Sequence, residues 1–227
     1  MLVPMPVPPP LEHPLSPNPA LPEAALARLD ALIAQAQTRG QRHLLGLAGA
    51  PGSGKSTLAA ALHAARPHAT QVVPMDGYHL ANNVLAELGR SQRKGAPDTF
   101  DAAGFVALLQ RLRRPGGEVV YAPEYRREIE EAVAGAIAIP PEVPVLIVEG
   151  NYLLLEDPPW AACRTLLHEA WYVDVDDALR TERLVARHRH FGRSEADARA
   201  WAAQTDEPNA RRIAASQGRA DGVLRLA

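Results

Sequence analysis

Three groups of residues have the types and spacing that phosphoryl chemistry requires. The first is the run GAPGSGKST at 49–57, in which Gly49 and four further residues precede Gly54-Lys55-Ser56. Glycines at 49, 52 and 54 let successive backbone N–H groups turn toward one anion, and a helix leaving the loop adds its positive end. In such a loop Lys55 reaches the β- and γ-phosphates of a nucleotide, and the Ser56 hydroxyl ligates Mg²⁺. Ala50, Pro51, Gly52, Ser53 and Thr57 complete the cradle. The second is Asp76, which ends the strand-like VVPM; there a carboxylate can accept a hydroxyl proton or hold a magnesium-bound water. The third is Glu149, which closes the apolar VLIV where an acid can join the metal shell. Each has a plainer reading: a glycine-rich turn, a turn opened by Asp76-Gly77, and a rim carboxylate paired with an arginine.

The elements around these residues are short apolar strands alternating with helices. LLGLA runs into the loop and STLAAALHAA runs out of it; QVVPM, VPVLIVEG, WYVDV and GVLRLA read as further strands. Asp101 can cap the helix AAGFVALLQRLRR, whose Phe105, Leu108, Leu109 and Leu112 form one apolar face. WYVDV is followed by the long helix DDALRTERLVARHRH. The alternation predicts an α/β fold of the P-loop NTPase type, three layers (α/β/α) around a mostly parallel sheet. Ligands of such sheets lie beyond the carboxyl ends of the strands, so Asp76 and Glu149 are expected to face the loop. Upstream, Pro22 opens a helix over about 22–38 with Leu26, Leu29, Leu32 and Ile33 on one side and Gly40 as its stop. Residues 1–21 are rich in proline and read as a flexible tail, leaving 22–227 as one domain without an internal repeat.

Composition narrows the function classes. The 227 residues carry a formal net charge of −2 with both signs interspersed, which argues against a nucleic-acid binder. No apolar run approaches the roughly 20 residues that span a bilayer, so no membrane partner is expected. The N-terminus lacks the basic and uninterrupted apolar regions of a secretory signal. Cys163, the single cysteine, can form neither an internal disulfide nor a zinc cluster, and a cytoplasmic location is the simplest expectation.

The order GAPGSGKST, MDGYH, RKGAPDTFD, VYAPEYRREIEE and VLIVEGNYLLL resembles the phosphoribulokinase/uridine kinase/pantothenate kinase superfamily. The nearest likeness is to its nucleoside/nucleotide kinase branch, which includes kinases assigned to fructose transport systems. The resemblance runs from about His43 to the C-terminus. It implies ATP-dependent, magnesium-dependent phosphorylation of a small-molecule hydroxyl, with Asp76 as the catalytic base and Glu149 in the metal and acceptor region. It implies that RKGAPDTFD lies near the acceptor, that Asn209 in DEPNARRI helps to frame the nucleotide base, and it leaves room for a homodimer. Tyr78, His79, Arg93, Lys94, Tyr125 and Arg126 are the candidate acceptor wall. APEYRRE departs from the pattern: Arg126 and Arg127 stand where pantothenate kinases carry serine and histidine. These arginines suit an anionic acceptor, or pair with Glu128, Glu130 or Glu131 on a solvated face.

LRTERLVARHRHFGRS places Arg180, Arg183 and Arg187 along one helical side, with Arg189 and Arg193 beyond. Kinases of this resemblance carry a mobile cover here, so a helical lid is expected over about 187–205, with Arg187 the first candidate to meet the transferring phosphate and Arg189 and Arg193 next. A solvated charged face is the alternative. Two other activities compete with a kinase: a nucleotide-hydrolysing switch or motor, and an inactive nucleotide-binding regulator. No Asn-Lys pair of the kind found in GTPase base-reading motifs occurs in the chain.

Overall fold

The computed structural model describes residues 21–114 and 116–226, so the expected tail lies, except for Leu21, outside the described residues. Helix α1 (Glu23–Arg39) leads to β1 (His43–Ala48), the glycine loop, α2 (Lys55–Ala65) and β2 (Thr70–Pro74). Helices α3 (Asn82–Glu87) and α4 (Ala102–Arg113) precede strands β3 (Val120–Arg126) and β4 (Glu131–Ile139). The chain continues through β5 (Val145–Gly150), α5 (Ala161–Leu166), β6 (Glu169–Asp174), α6 (Asp177–His190), α7 (Glu195–Trp201), α8 (Glu207–Ala215) and β7 (Gly222–Arg225).

Five strands pair in the order β2-β5-β1-β6-β7, every pair parallel. Successive side chains of a strand point to opposite faces, and the core divides accordingly. Leu44, Ala48, Leu146, Val148, Ala170 and Tyr172 pack with α4, α5 and Ile213 of α8. Leu45, Leu47, Val145, Ile147, Trp171 and Val173 pack with α1 and α2. Burial on both faces explains why these strands read as unbroken apolar runs. Local signals end the helices as expected: Asp101 accepts from the Gly104 N–H at 2.8 Å, and Gly40 closes α1 at φ 59. Buried Glu169 fastens α1 to the sheet by accepting from Arg28 Nε at 2.9 Å and Trp171 Nε1 at 2.7 Å.

One element departs from the alternation. β3 and β4 form a separate two-stranded antiparallel ribbon, with an irregularity between Ala122 and Glu124. β4 is mostly exposed, and alanine and glycine, both depleted in strands, make up five of its nine residues, so it does not announce itself as a strand. The ribbon lies on the 3₁₀ turn Met75–Tyr78 that follows β2. A Cβ on Gly77 would stand 2.3 Å from the Pro123 carbonyl oxygen, so only glycine lets strand and turn approach this closely. The stretch 187–205 comprises the end of α6, α7 and most of a π-type turn, Ala202–Asp206.

Candidate active site

β1 delivers the glycine loop to the carboxyl edge of the sheet and α2 leaves from Lys55. Gly52 (φ 83) and Gly54 (φ 89) adopt the left-handed conformation that turns consecutive N–H groups into one concavity. Lys55 is buried; burial lowers its pKa, and the negative charges of Glu149 and Asp76 work against that shift. Ser56 Oγ donates to Glu149 Oε2 at 3.1 Å, so the first turn of α2 and the end of β5 set two oxygens side by side. Thr57, the next residue, is exposed. Buried Ser53 Oγ has no hydrogen-bond partner among the described residues. It lines a cleft of about 190 Å³ with Ala50, Asp174, Arg180, Arg211 and Gln217.

Asp76 lies in the turn after β2, beside β5. Burial alone would raise its pKa; His79, Arg127, Lys55 and Arg187 outweigh burial and hold it below the usual carboxylate range. Glu149 moves the other way: burial raises it, Lys55 opposes, and the Asp76 charge adds to the rise. The two acids are therefore driven apart, a pattern that divides roles between neighbouring carboxyl groups.

The cations sort in a way that spacing did not reveal. The Arg187 side chain makes no hydrogen bond or ion pair among the described residues; burial and then Arg127 lower its pKa, against the charges of Asp206, Asp76 and Glu149. Arg189 instead lies 3.4 Å from Glu195, and the Arg193 guanidinium stacks 4.0 Å from the Trp201 ring centroid. Arg180 is tied to Asp177 at 2.9 Å and to Glu207 at 2.6 Å, joining α6 to α8. His188 bonds Asp206 at 2.8 Å and so fastens α6 to the π-type turn.

The candidate acceptor wall is only partly brought together. His79 bonds the Asp76 carbonyl at 2.8 Å and packs between Phe100 and Tyr125. Tyr125 donates to Glu130 at 3.2 Å, and Lys94 lies 5.2 Å from its ring centroid while donating to Asn82 Oδ1 at 2.6 Å. Tyr152 donates to the Gly95 carbonyl, and Trp160 Nε1 to that of Pro97 at 3.1 Å, pinning the RKGAPDTFD segment against the core. Arg93, however, pairs with Asp98 on the surface, and Tyr78 turns its ring to Phe105 in the core. Arg126 bonds Glu124 at 2.6 Å and points outward, where extension of the strand carries it. Its neighbour Arg127, absent from the expected wall, is the one that reaches Asp76, at 3.5 Å. The double arginine was the available signal; which member turned inward was not readable. Asn209 donates its amide to the Thr205 carbonyl at 2.9 Å and does not line the cleft, whereas Ala210 and Arg211 do.

A parallel sheet feeding a lysine-bearing glycine loop, faced by strand-end carboxylates, defines a P-loop nucleotide-dependent protein. A family model described as an AAA domain matches residues 44–209. The chain belongs to this family of P-loop kinases, within the phosphoribulokinase/uridine kinase/pantothenate kinase superfamily. The "Putative uridine kinase C227.14" of Schizosaccharomyces pombe is 36% identical over 157 residues, 65% of this chain and 67% of that protein. A structure from Silicibacter sp. TM1040, described as a "putative fructose transport system kinase", is 40% identical with a TM-score of 0.78, covering 88% of this chain and 98% of that one. The pantothenate kinase of Enterococcus faecalis is 29% identical over 142 residues, 60% of this chain but 46% of that protein. Among the described residues no helix is long and apolar enough to cross a membrane.

Proposed function

We propose that this protein is an ATP-dependent kinase that transfers the γ-phosphate to a hydroxyl of a small metabolite, whether pantothenate-like, nucleoside or sugar. The observation that carries the reading is the Asp76 carboxylate, held ionised by the charges of His79, Arg127, Lys55 and Arg187, the last of which has no side-chain partner among the described residues. Asp76 accepts the acceptor's hydroxyl proton as the new O–P bond forms and the bond from the γ-phosphorus to the β,γ-bridging oxygen breaks, releasing ADP. Residues 49–57 hold the triphosphate through backbone N–H groups, and Lys55 follows the charge that moves to the leaving oxygen. Ser56 and Glu149 would hold Mg²⁺, since their adjoining oxygens suit a hard divalent cation. The metal would supply charge neutralisation between the β- and γ-phosphates. Arg187, carried by the lid, stabilises the transferring group and helps to exclude water. The cleft beside Ala50 and Ser53 takes the base side of the nucleotide, with Arg211 and Gln217 rather than Asn209 at its wall. In this reading residues 22–227 work as one domain with 187–205 as its cover, and the acceptor is the small-molecule partner.

The test is Asp76→Asn. It keeps ATP binding and lowers acceptor phosphorylation by about 10²–10⁴-fold, the usual contribution of general-base assistance. A coupled ADP-release assay, run with and without acceptor, reads the loss. Undiminished transfer removes Asp76 from the base role. ADP release that no acceptor stimulates favours a hydrolase.

A further inference from the structure

Arg127 is a guanidinium with little to do in the folded chain. Among the described residues it pairs with none of the acids that follow it, Glu128, Glu130 and Glu131; Glu130 accepts from Tyr125 at 3.2 Å, and Glu131 Oε1 accepts from the Asn82 N–H at 2.9 Å. Its single polar contact among the described residues is Asp76, at a long 3.5 Å, where a tight charge-assisted pair closes to about 2.7–2.9 Å. The side chain is one-third exposed, and its guanidinium carbon is 5.9 Å from the Tyr125 ring centroid, so the planar group rests against an aromatic wall. A guanidinium has five donors in a fixed fork; here one is loosely used, and the others have no partner among the described residues. The ribbon that carries it is held in place by the contact that Gly77 permits with Pro123.

Three cations, Lys55, Arg187 and Arg127, surround Asp76. Lys55 and Arg187 stand on the loop and the lid, where the nucleotide phosphates are drawn. Arg127 comes from a different element, the turn that follows β3. Resting on the kinase reading above, we infer that the acceptor is a compact anion, a hydroxy acid or a phosphorylated polyol, whose carboxylate or phosphate is gripped by Arg127 while its hydroxyl meets Asp76. With hydrogen bonds of about 2.8 Å to each group, and the two groups themselves 3.5 Å apart, the hydroxyl and the anion lie only a few bonds from each other. An anion here also screens Arg127 from Arg187, two like charges that otherwise face one site.

Matched acceptor pairs test this: glycerol against glycerate, pantothenol against pantothenate, and fructose against fructose 6-phosphate. ADP release and phosphorylated product are both measured at saturating Mg·ATP. In at least one pair the anionic member is phosphorylated with kcat/KM at least about 10-fold above its neutral partner. Arg127→Gln raises the KM for that anion by about 10- to 100-fold, a loss at least about 10-fold larger than any it causes in kcat/KM for the neutral partner, and leaves the KM for ATP within about twofold. Arg127→Lys restores part of the loss, because charge returns without the fork. The carboxylate and phosphate pairs distinguish the two sources of the anion. Phosphorylation of neutral members as good as that of the anions, or an equal loss for both in Arg127→Gln, overturns the inference and leaves the kinase reading standing. Inorganic phosphate release with no phosphorylated product from any acceptor overturns both.

Discussion

Replacing Gly77 by alanine tests whether the ribbon, and not only the strand ends, sets the geometry of phosphoryl transfer. The added Cβ would lie 2.3 Å from the Pro123 carbonyl oxygen and 2.6 Å from its carbon, where real contacts keep at least 3.0 Å. Both are backbone atoms, so no side-chain rotation relieves the clash, and the turn and β3 must part by about 0.7 Å. Asp76 precedes Gly77 directly, and Tyr125 and Arg127 follow Pro123 within four residues. The displacement therefore falls on the Asp76–Arg127 contact, already 3.5 Å long. A misplacement near 1 Å costs about 10²-fold in rate, so kcat for the acceptor phosphorylation should fall by some tens to about 100-fold. The glycine loop lies on another strand and is untouched, so nucleotide affinity stays within about twofold. Overpacking of this kind costs about 1–3 kcal/mol, read as a modest fall in Tm. Turnover of Gly77→Ala in the ADP-release assay, an ADP titration and a thermal melt together decide the matter. Wild-type turnover refutes the claim that the ribbon positions the site; a loss of turnover matched by loss of ADP binding shows that the damage is general.

The arginines of residues 187–205 divide sharply. Arg187→Ala lowers kcat by about 10²–10³-fold at nearly unchanged Tm, whereas Arg193→Ala leaves kcat within about twofold because its guanidinium is spent on Trp201; comparable kcat in the two variants contradicts that division. Stability also carries a pH signature far from the site. Burial, with His43 stacked 4.3 Å away, pushes the His168 pKa down to about 4 from 6.5, and its neutral Nδ1 accepts from the Leu44 N–H at 2.9 Å. The fold thus prefers the neutral ring: the contribution is complete above pH 6.5 and is lost as pH falls from there toward 4. Thermal melts at stepped pH show Tm falling across that window, and His168→Gln flattens the fall; an equally steep acid limb in the variant assigns it to other groups.

Much of the molecule is written in short segments whose behaviour is local. The glycine loop needs only its own backbone and the helix after it, so GAPGSGKST is legible without the fold. Asp101 and Gly40 end helices by contacts within a few residues. The two-faced burial of β1, β5 and β6 makes apolar runs that announce a parallel sheet, and the sheet in turn directs Asp76 and Glu149 toward the loop. The exposed β4, poor in large apolar residues, had no such signal, and the ribbon it forms with β3 was not foreseen.

The long cationic side chains were a different matter. Arg126 and Arg127 are adjacent and chemically identical, yet the first is the last residue of β3 and the second the first residue of the turn beyond it. The pairing of Arg126 with Glu131 keeps Arg126 in the strand on the side of Glu124, while Arg127 opens the turn that joins β3 to β4 and from there reaches Asp76. Arg93, Arg189 and Arg193 find surface partners within reach of their flexible stems, while Arg187 finds none among the described residues and is acted on by the charges of Asp206, Asp76 and Glu149. Asn209 is likewise turned from the cleft by the carbonyl one helical turn behind it. The sequence by itself determined where the glycine loop forms and which acids close the strands, because backbone direction follows from neighbours in the chain. Only the tertiary structure decided which cations reach those acids, because the end of a long side chain goes where distant segments leave a charge to meet.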